Sequence, residues 1–273
     1  MDGSRTFDFD TTTSVGGTCV QARPFPSYSG LTFGPIFSKT LGLMKRKTSS
    51  AFTLIELLVV IAIIATLAAF AVPALTSALT RGQMTGTLNN MHQFHLAAAQ
   101  MAIDGASNSD PTLGWPGDIT SPGAITALSA YCDVLVRNNY LQAGDVRKIL
   151  SAPGANCTFT GGTFDAAGTY TAITNLQNPA LKVYLVNGSN PSNTLFCETA
   201  NYTYNTPLAA NGVPFSNKGF IVQRRGGDAA LLRLGQATAG ANVTAFQSTV
   251  GRVPGDADGV AGSESGTTVL TSN

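Results

Sequence analysis

Apolar and polar positions are spread unevenly, and three patterns follow one another along the chain. From Leu57 to Thr80 there are 24 residues without a charge, and Leu57–Val72 is apolar but for Thr66. As a helix rising 1.5 Å per residue this stretch is roughly 36 Å long, against a hydrocarbon core of about 30 Å. A membrane span is therefore expected, rather than a buried core helix. Beyond Pro73 the pattern becomes Met84, Leu88, Met91, His95, Ala98 and Met101/Ala102, three or four residues apart, which is the stripe of an amphipathic helix. One long helix is predicted over 52–103. Pro73, which lacks a backbone donor, should kink it or start a locally melted stretch. Gly82 and Gly86 soften its middle, and Asp104-Gly105 should end it.

After residue 104 the helical period is lost. Residues 104–123 carry Asp110-Pro111, Trp115-Pro116-Gly117-Asp118 and Ser121-Pro122-Gly123, the marks of a loop. Trp115, the one tryptophan, is expected to pin that loop to the body. A helix is predicted at about 125–140, with Ile125, Leu128, Cys132 and Leu135 on one face, and a short one at 145–150. Short strands are expected at 157–160, 168–173, 181–186, 194–198 and 219–224, with Gly226-Gly227-Asp228 turning a hairpin into 229–234. From Gly251 onward the Gly/Ser/Thr-rich tail reads as loose. The order of elements is α+β.

Residues 1–43 differ from the rest: they hold Pro24, Pro26 and Pro35, several glycines and no sustained period. Met44-Lys45-Arg46-Lys47 then places three cations directly before the apolar run, where the positive-inside rule keeps them cytoplasmic. Met44 is read as the true start and 1–43 as an upstream extension, the other reading being a long leader. Residues 1–51 are excluded from the fold. Charged residues make up 11% of the chain, well below the roughly 25% of ordinary soluble domains. The formal net charge of +1 leaves no basic excess for a polyanion, so nucleic-acid binding is not expected.

One acid breaks the apolar stretch that begins at Phe52. In lipid, an acid at a helix centre costs roughly 2.5–3.5 kcal/mol, and less near an end. Glu56 therefore needs a partner, and a positive group on a neighbouring copy, such as a free α-amino group, would make it a register device. Tolerance of an acid at a helix N-terminus is the plainer reading. The run Lys45-Arg46-Lys47-Thr48-Ser49-Ser50-Ala51, then Phe52-Thr53-Leu54-Ile55-Glu56-Leu57-Leu58-Val59-Val60, resembles the prepilin signature of type IV pilins and type II secretion pseudopilins. The resemblance covers about 30 residues. It implies cleavage between Ala51 and Phe52 by a prepilin peptidase, N-methylation of Phe52, and a mature chain of 222 residues. It also implies Glu56 as the assembly acid, Pro73 as the helix kink, and a pilin-like α+β fold with the long helix packed on a small antiparallel sheet. Ala51 departs from the family, which usually has Gly before the cut. Domains are expected at 1–51 (leader), 52–103 (long helix) and 104–273 (C-terminal α+β body).

Other chemistry is sparse. The mature part keeps Cys132, Cys157 and Cys197. An oxidising compartment would allow one disulfide, with Cys157–Cys197 favoured because Cys132 lies on a helix's apolar face, and three free cysteines are the alternative. Asp256, Asp258 and Glu264 offer oxygen ligands that match no EF-hand. Some major pseudopilins use a C-terminal calcium loop, so the resemblance makes calcium a weak candidate here, behind a solvated acidic turn; no other cofactor is expected. His92 and His95 stand three apart without further ligands nearby. Lys218, Arg224 and Arg225 read as a solvated basic face. No nucleophile elbow, Walker motif, dinucleotide fingerprint or paired-carboxylate motif occurs, so an enzyme is not expected.

The expected function is that of a structural subunit of a type IV pilus or type II secretion pseudopilus. It would be held in the bacterial inner membrane by a single span, with its C-terminal body periplasmic or extracellular. The expected partners are the peptidase, other pilin or pseudopilin subunits, an inner-membrane assembly platform and membrane lipid. The body of about 170 residues past the helix tilts this toward a minor or specialised subunit. Two alternatives stay open. One is an extracytoplasmic binding protein or enzyme that uses the span as an anchor. The other is a secreted protein cut after Ala69-Phe70-Ala71, before Val72.

Overall fold

The computed structural model describes residues 52–260, 262–264, 269–270 and 272. The expected leader, with Met44 and Ala51, lies outside the described residues. The fold described below is that of the compact unit Thr53–Asn273.

Helix α1 runs over Leu54–Asn108, 55 residues in all, so it is roughly 82 Å long. It continues unbroken through Pro73, so the melted stretch that the proline suggested does not form. A single missing N–H bond is absorbed by intact turns on both sides. The helix also passes Gly105 and ends at Asn108, with Ser109 in the left-handed region (φ 53°) and its N–H on the Gly105 carbonyl. Gly105 serves close approach rather than termination, because a Cβ there would lie 2.2 Å from the Leu113 carbonyl oxygen.

The outer half of α1 carries the body. Met84, Thr87, Met91, Phe94, Ala98, Met101 and Gly105, alternately three and four residues apart, are all buried, with His95 beside them. Phe94 stacks on Phe196 at 5.6 Å between ring centroids, and Trp115 meets the same ring edge-on at 5.3 Å. Trp115 thus holds loop 109–123 onto the body, as its place in the sequence suggests.

Two short helices follow, α2 (Leu128–Arg137) and α3 (Ala143–Ile149). Strands β1 (Thr158–Thr160) and β4 (Thr174–Gln177) form one antiparallel pair, and β2 (Thr163–Phe164) with β3 (Tyr170–Thr171) a second. The main sheet is antiparallel, in the order β5 (Leu181–Val183), β6 (Leu195–Thr199), β7 (Phe220–Arg224) and β8 (Ala229–Leu232). Helix α1 packs on β7 and β8. Every residue of β6 and β7 is buried, which accounts for their near-continuous apolar runs.

A 3-10 turn at Leu234–Gln236 and a fourth helix, α4 (Val243–Thr249), complete the body. The described part of the tail is docked, contrary to the loose tail that its composition suggests. Arg252 bridges Thr194, Val269 bridges Tyr184, and the Leu270 N–H donates to the Val183 carbonyl at 2.8 Å. Val253 and Leu270 are buried. Backbone pairing and two apolar anchors outweigh the flexibility of the Gly/Ser/Thr-rich sequence.

Candidate assembly site

The N-terminal end of α1 is closed by a reciprocal cap. Thr53 is the N-cap, and its hydroxyl oxygen accepts the Glu56 N–H at 3.2 Å. Both the Thr53 N–H and its hydroxyl donate to Glu56 Oε2 at 2.8 Å. This capping box satisfies donors that a helix start otherwise leaves open. Both bonds fall on Oε2, so the second carboxylate oxygen stays available to a cation. Glu56 thus has an intrachain role as well as a free face. Thr53 adds a capping residue to the sequence candidates, and Thr-x-x-Glu is itself the signature of such a cap.

Around this acid lies an uncovered apolar surface. Phe52 is 75% exposed, and Leu54, Ile55, Leu57, Leu58 and Val59 are exposed as well. The exposure continues along the helix to Leu79. Helix α1 is the one described helix long and apolar enough to cross a membrane, and no residue of its most apolar window is buried. An apolar surface of this extent marks contact with lipid or with other protein.

The remaining sequence candidates are dispersed by the fold. Pro73 lies within the exposed part of α1. The Cys157–Cys197 pair does not form: Cys132, Cys157 and Cys197 are all free and buried. Cys197 lies in the main sheet opposite Val183 and Gln223, whereas Cys157 precedes β1 of a separate sheet. Burial pushes the Cys132 thiol far above its usual value. Burial also raises Cys157, to about 11, leaving it protonated and unreactive at neutral pH.

Each of the calcium candidates is engaged by a partner of its own. Asp256 accepts the Gly262 N–H at 2.9 Å, Asp258 pairs with Arg252 at 2.5 Å, and Glu264 meets Lys182 Nζ at 2.7 Å. No metal-holding group of three His, Cys, Asp or Glu side chains occurs among the described residues. His92 is exposed, while His95 is buried with Nε2 2.8 Å from the Arg225 carbonyl. Burial lowers the His95 pKa, so the neutral ring donates from Nε2. The expected basic face also breaks up. Arg224 is buried, bonded to the Asp228 carboxylate and the Thr249 carbonyl, and only Lys218 and Arg225 remain of it.

Glu264 belongs to a polar cluster that anchors the tail. Lys182 and Glu198 face each other across β5 and β6, 3.1 Å from Nζ to Oε1. Glu264 bonds Lys182 through both oxygens and takes the Tyr204 N–H at 2.7 Å and the Tyr184 hydroxyl at 3.2 Å. Burial raises the Glu198 pKa well above its usual value, against the attraction of Lys182. Burial also works to raise Glu264, but hydrogen bonding with Glu198 and the charge of Lys182 hold it below the ordinary carboxylate value. Glu198 therefore keeps its proton while Glu264 is ionised. The folded state binds a proton at Glu198 that the unfolded chain releases near pH 4.5. That contribution is complete below pH 4.5 and is lost as pH rises through the folded value. Glu198→Gln is accordingly expected to melt like the wild type near pH 4 and at a higher temperature at pH 8. Thermal unfolding across that range checks this, and a deficit equal at every pH would contradict it.

Residues 46–72 match the family profile described as the prokaryotic N-terminal methylation motif. The type IV major fimbrial protein FimA of Dichelobacter nodosus is 33% identical over 82 residues, 30% of this chain and 53% of that protein. A second FimA from the same organism is 34% identical over 70 residues, 26% of this chain and 45% of that protein. The chain thus spans about half the length of these relatives. The fimbrial protein EcpC of Eikenella corrodens is 32% identical over 127 residues, 46% of this chain and 78% of that protein. No solved structure matches the chain. With the methylation motif lying over the start of α1, and with 78% of a fimbrial protein aligned at this identity, the chain belongs to the type IV pilin and pseudopilin family.

Proposed function

We propose that the chain is a structural subunit of a type IV pilus, stored in the inner membrane by α1 and drawn from there into a filament. The observation that carries this reading is the uncovered apolar face of α1 with one acid, Glu56, at its edge. That face is stable in a bilayer or against other copies of itself, but not in water. The fimbrial names of the relatives favour a pilus over a secretion pseudopilus. On this reading a prepilin peptidase cuts between Ala51 and Phe52 and Phe52 is N-methylated. The new amino group of one subunit is then neutralised by Glu56 of another. An inner-membrane platform supplies the subunits, and the body past the helix lies outside the membrane. The chain acts by assembly rather than by catalysis.

The test is to shear surface filaments from the native host and probe them for this chain. Recovery in the sheared fraction is expected, at low copy for a minor subunit. A chain that stays wholly in the membranes of piliated cells would overturn the reading.

A further inference from the structure

We infer that the body and α1 together build a binding site for the headgroup of an anionic phospholipid, formed by Arg81 and Lys218 where the span leaves the bilayer. The inference rests on the membrane-stored state proposed above. From the cap at Thr53 to Arg81 the helix rises about 42 Å, which matches the roughly 40–45 Å of a bilayer with its headgroup layers. Arg81 is the first charge after Glu56, so it reaches the far headgroup layer when Thr53 lies in the near one.

A crevice of about 380 Å³ opens at this level. It is lined by Thr76, Ser77, Thr80 and Arg81 of α1 and by Lys218, which the fold brings in from far along the chain. Buried Met84 lines the crevice as well. A Cβ at the adjacent Gly219 would lie only 3.1 Å from Met84 Cε, so the loop sits directly on the helix. No acid lines the crevice, and among the described residues neither Arg81 nor Lys218 is in an ion pair. Two exposed, unpaired cations in one cleft at headgroup depth suit a phosphodiester.

The hydroxyls complete the match. Thr76 donates to the Pro73 carbonyl at 2.9 Å, Ser77 to the Ala74 carbonyl at 3.1 Å and Thr80 to the Thr76 carbonyl at 3.0 Å. With their protons turned onto the helix, the three oxygens offer lone pairs to the cleft. A headgroup that carries hydroxyl donors beside its phosphate, as phosphatidylglycerol does, satisfies both halves of the site.

The full chain is reconstituted in nanodiscs of equal phosphatidylglycerol and phosphatidylcholine, and the lipid retained on it is counted by native mass spectrometry. Lys45, Arg46 and Lys47 stay in every arm, so their attraction cancels between variants. Wild type is expected to retain phosphatidylglycerol preferentially, with the ratio falling about fivefold for each of Arg81→Gln and Lys218→Gln. Lys148→Gln removes an exposed cation near Asn90, about 13 Å further along α1, and should leave the ratio unchanged. Millimolar inorganic phosphate should not displace the lipid. An equal ratio in wild type and the Arg81/Lys218 variants, an equal fall with Lys148→Gln, or displacement by inorganic phosphate would each overturn the site. Those results leave the membrane reading standing, whereas a chain that fails to enter nanodiscs overturns both.

Discussion

Glu56→Ala is expected to enter the membrane and be processed at wild-type levels while forming no filaments. Each subunit added to a filament would lose a charge pair held in apolar surroundings. Removing one partner of such a pair costs about 3–5 kcal/mol, on the order of 10²- to 10⁴-fold per contact. The geometry separates this role from the capping of α1, since the Thr53 donors use Glu56 Oε2 alone. Glu56→Gln keeps a side chain that can complete a capping box but carries no charge, so it should fail like the alanine variant. Thr53→Ala removes the cap at a cost of about 1 kcal/mol and keeps the carboxylate, so it should still assemble. Filament yield in sheared fractions, with chain abundance in membranes as control, distinguishes the three. Normal filaments from Glu56→Gln would remove the charge from the account.

The second large effect is expected at Phe196, where the body meets the helix. Its ring is in contact with Phe94, His95 and Trp115 at centroid distances of 5.6, 5.7 and 5.3 Å, and it is fully buried. Truncation leaves a cavity shared by β6, α1 and loop 109–123, so Phe196→Ala should cost about 3–5 kcal/mol. The melting temperature of the purified chain in detergent should fall by roughly 10 °C. Phe164→Ala serves as the control. That ring is half exposed and packs on Tyr170 at 4.9 Å, so its loss should cost under about 1 kcal/mol. Similar losses from the two variants would mean that the aromatic cluster does not hold the body to α1.

What could be read from the sequence follows the range of the interactions involved. The long apolar run and the stripe are local periodic signals, and the structure carries both on α1 as one continuous helix. The stripe still omits Phe94, because the expected series passes from Met91 to His95, whereas the observed one takes the intervening three-residue step. Glu56 is conspicuous as a lone acid in an apolar run. Thr53 sits beside it in a recognisable cap, hidden because the same residues resemble a processing motif. The strands at 158–160, 195–199 and 220–224 are close to expectation, being apolar or β-branched runs between turns. Strand β4, whose 174–177 segment is polar with only Leu176 buried, and helix α4 carry weaker patterns, which the periodicity does not predict.

The tail shows the limit most clearly. Its composition predicts looseness, while its docking depends on Glu264 finding Lys182, 82 residues away. No local signal encodes that pairing, nor the separation of Cys157 from Cys197, because both depend on which strands become neighbours. The crevice holding Arg81 and Lys218 is of the same kind: each cation is unremarkable alone, and the fold brings them together.

The central claim, processing before Phe52 for assembly, is tested most directly by the N-terminal residue and mass of the chain recovered from its own host's membranes. A chain beginning at N-methylated Phe52 is the expected result. A start at Val72, as a secreted soluble protein would have, or an intact start at Met44, as a simple anchor would have, would contradict it.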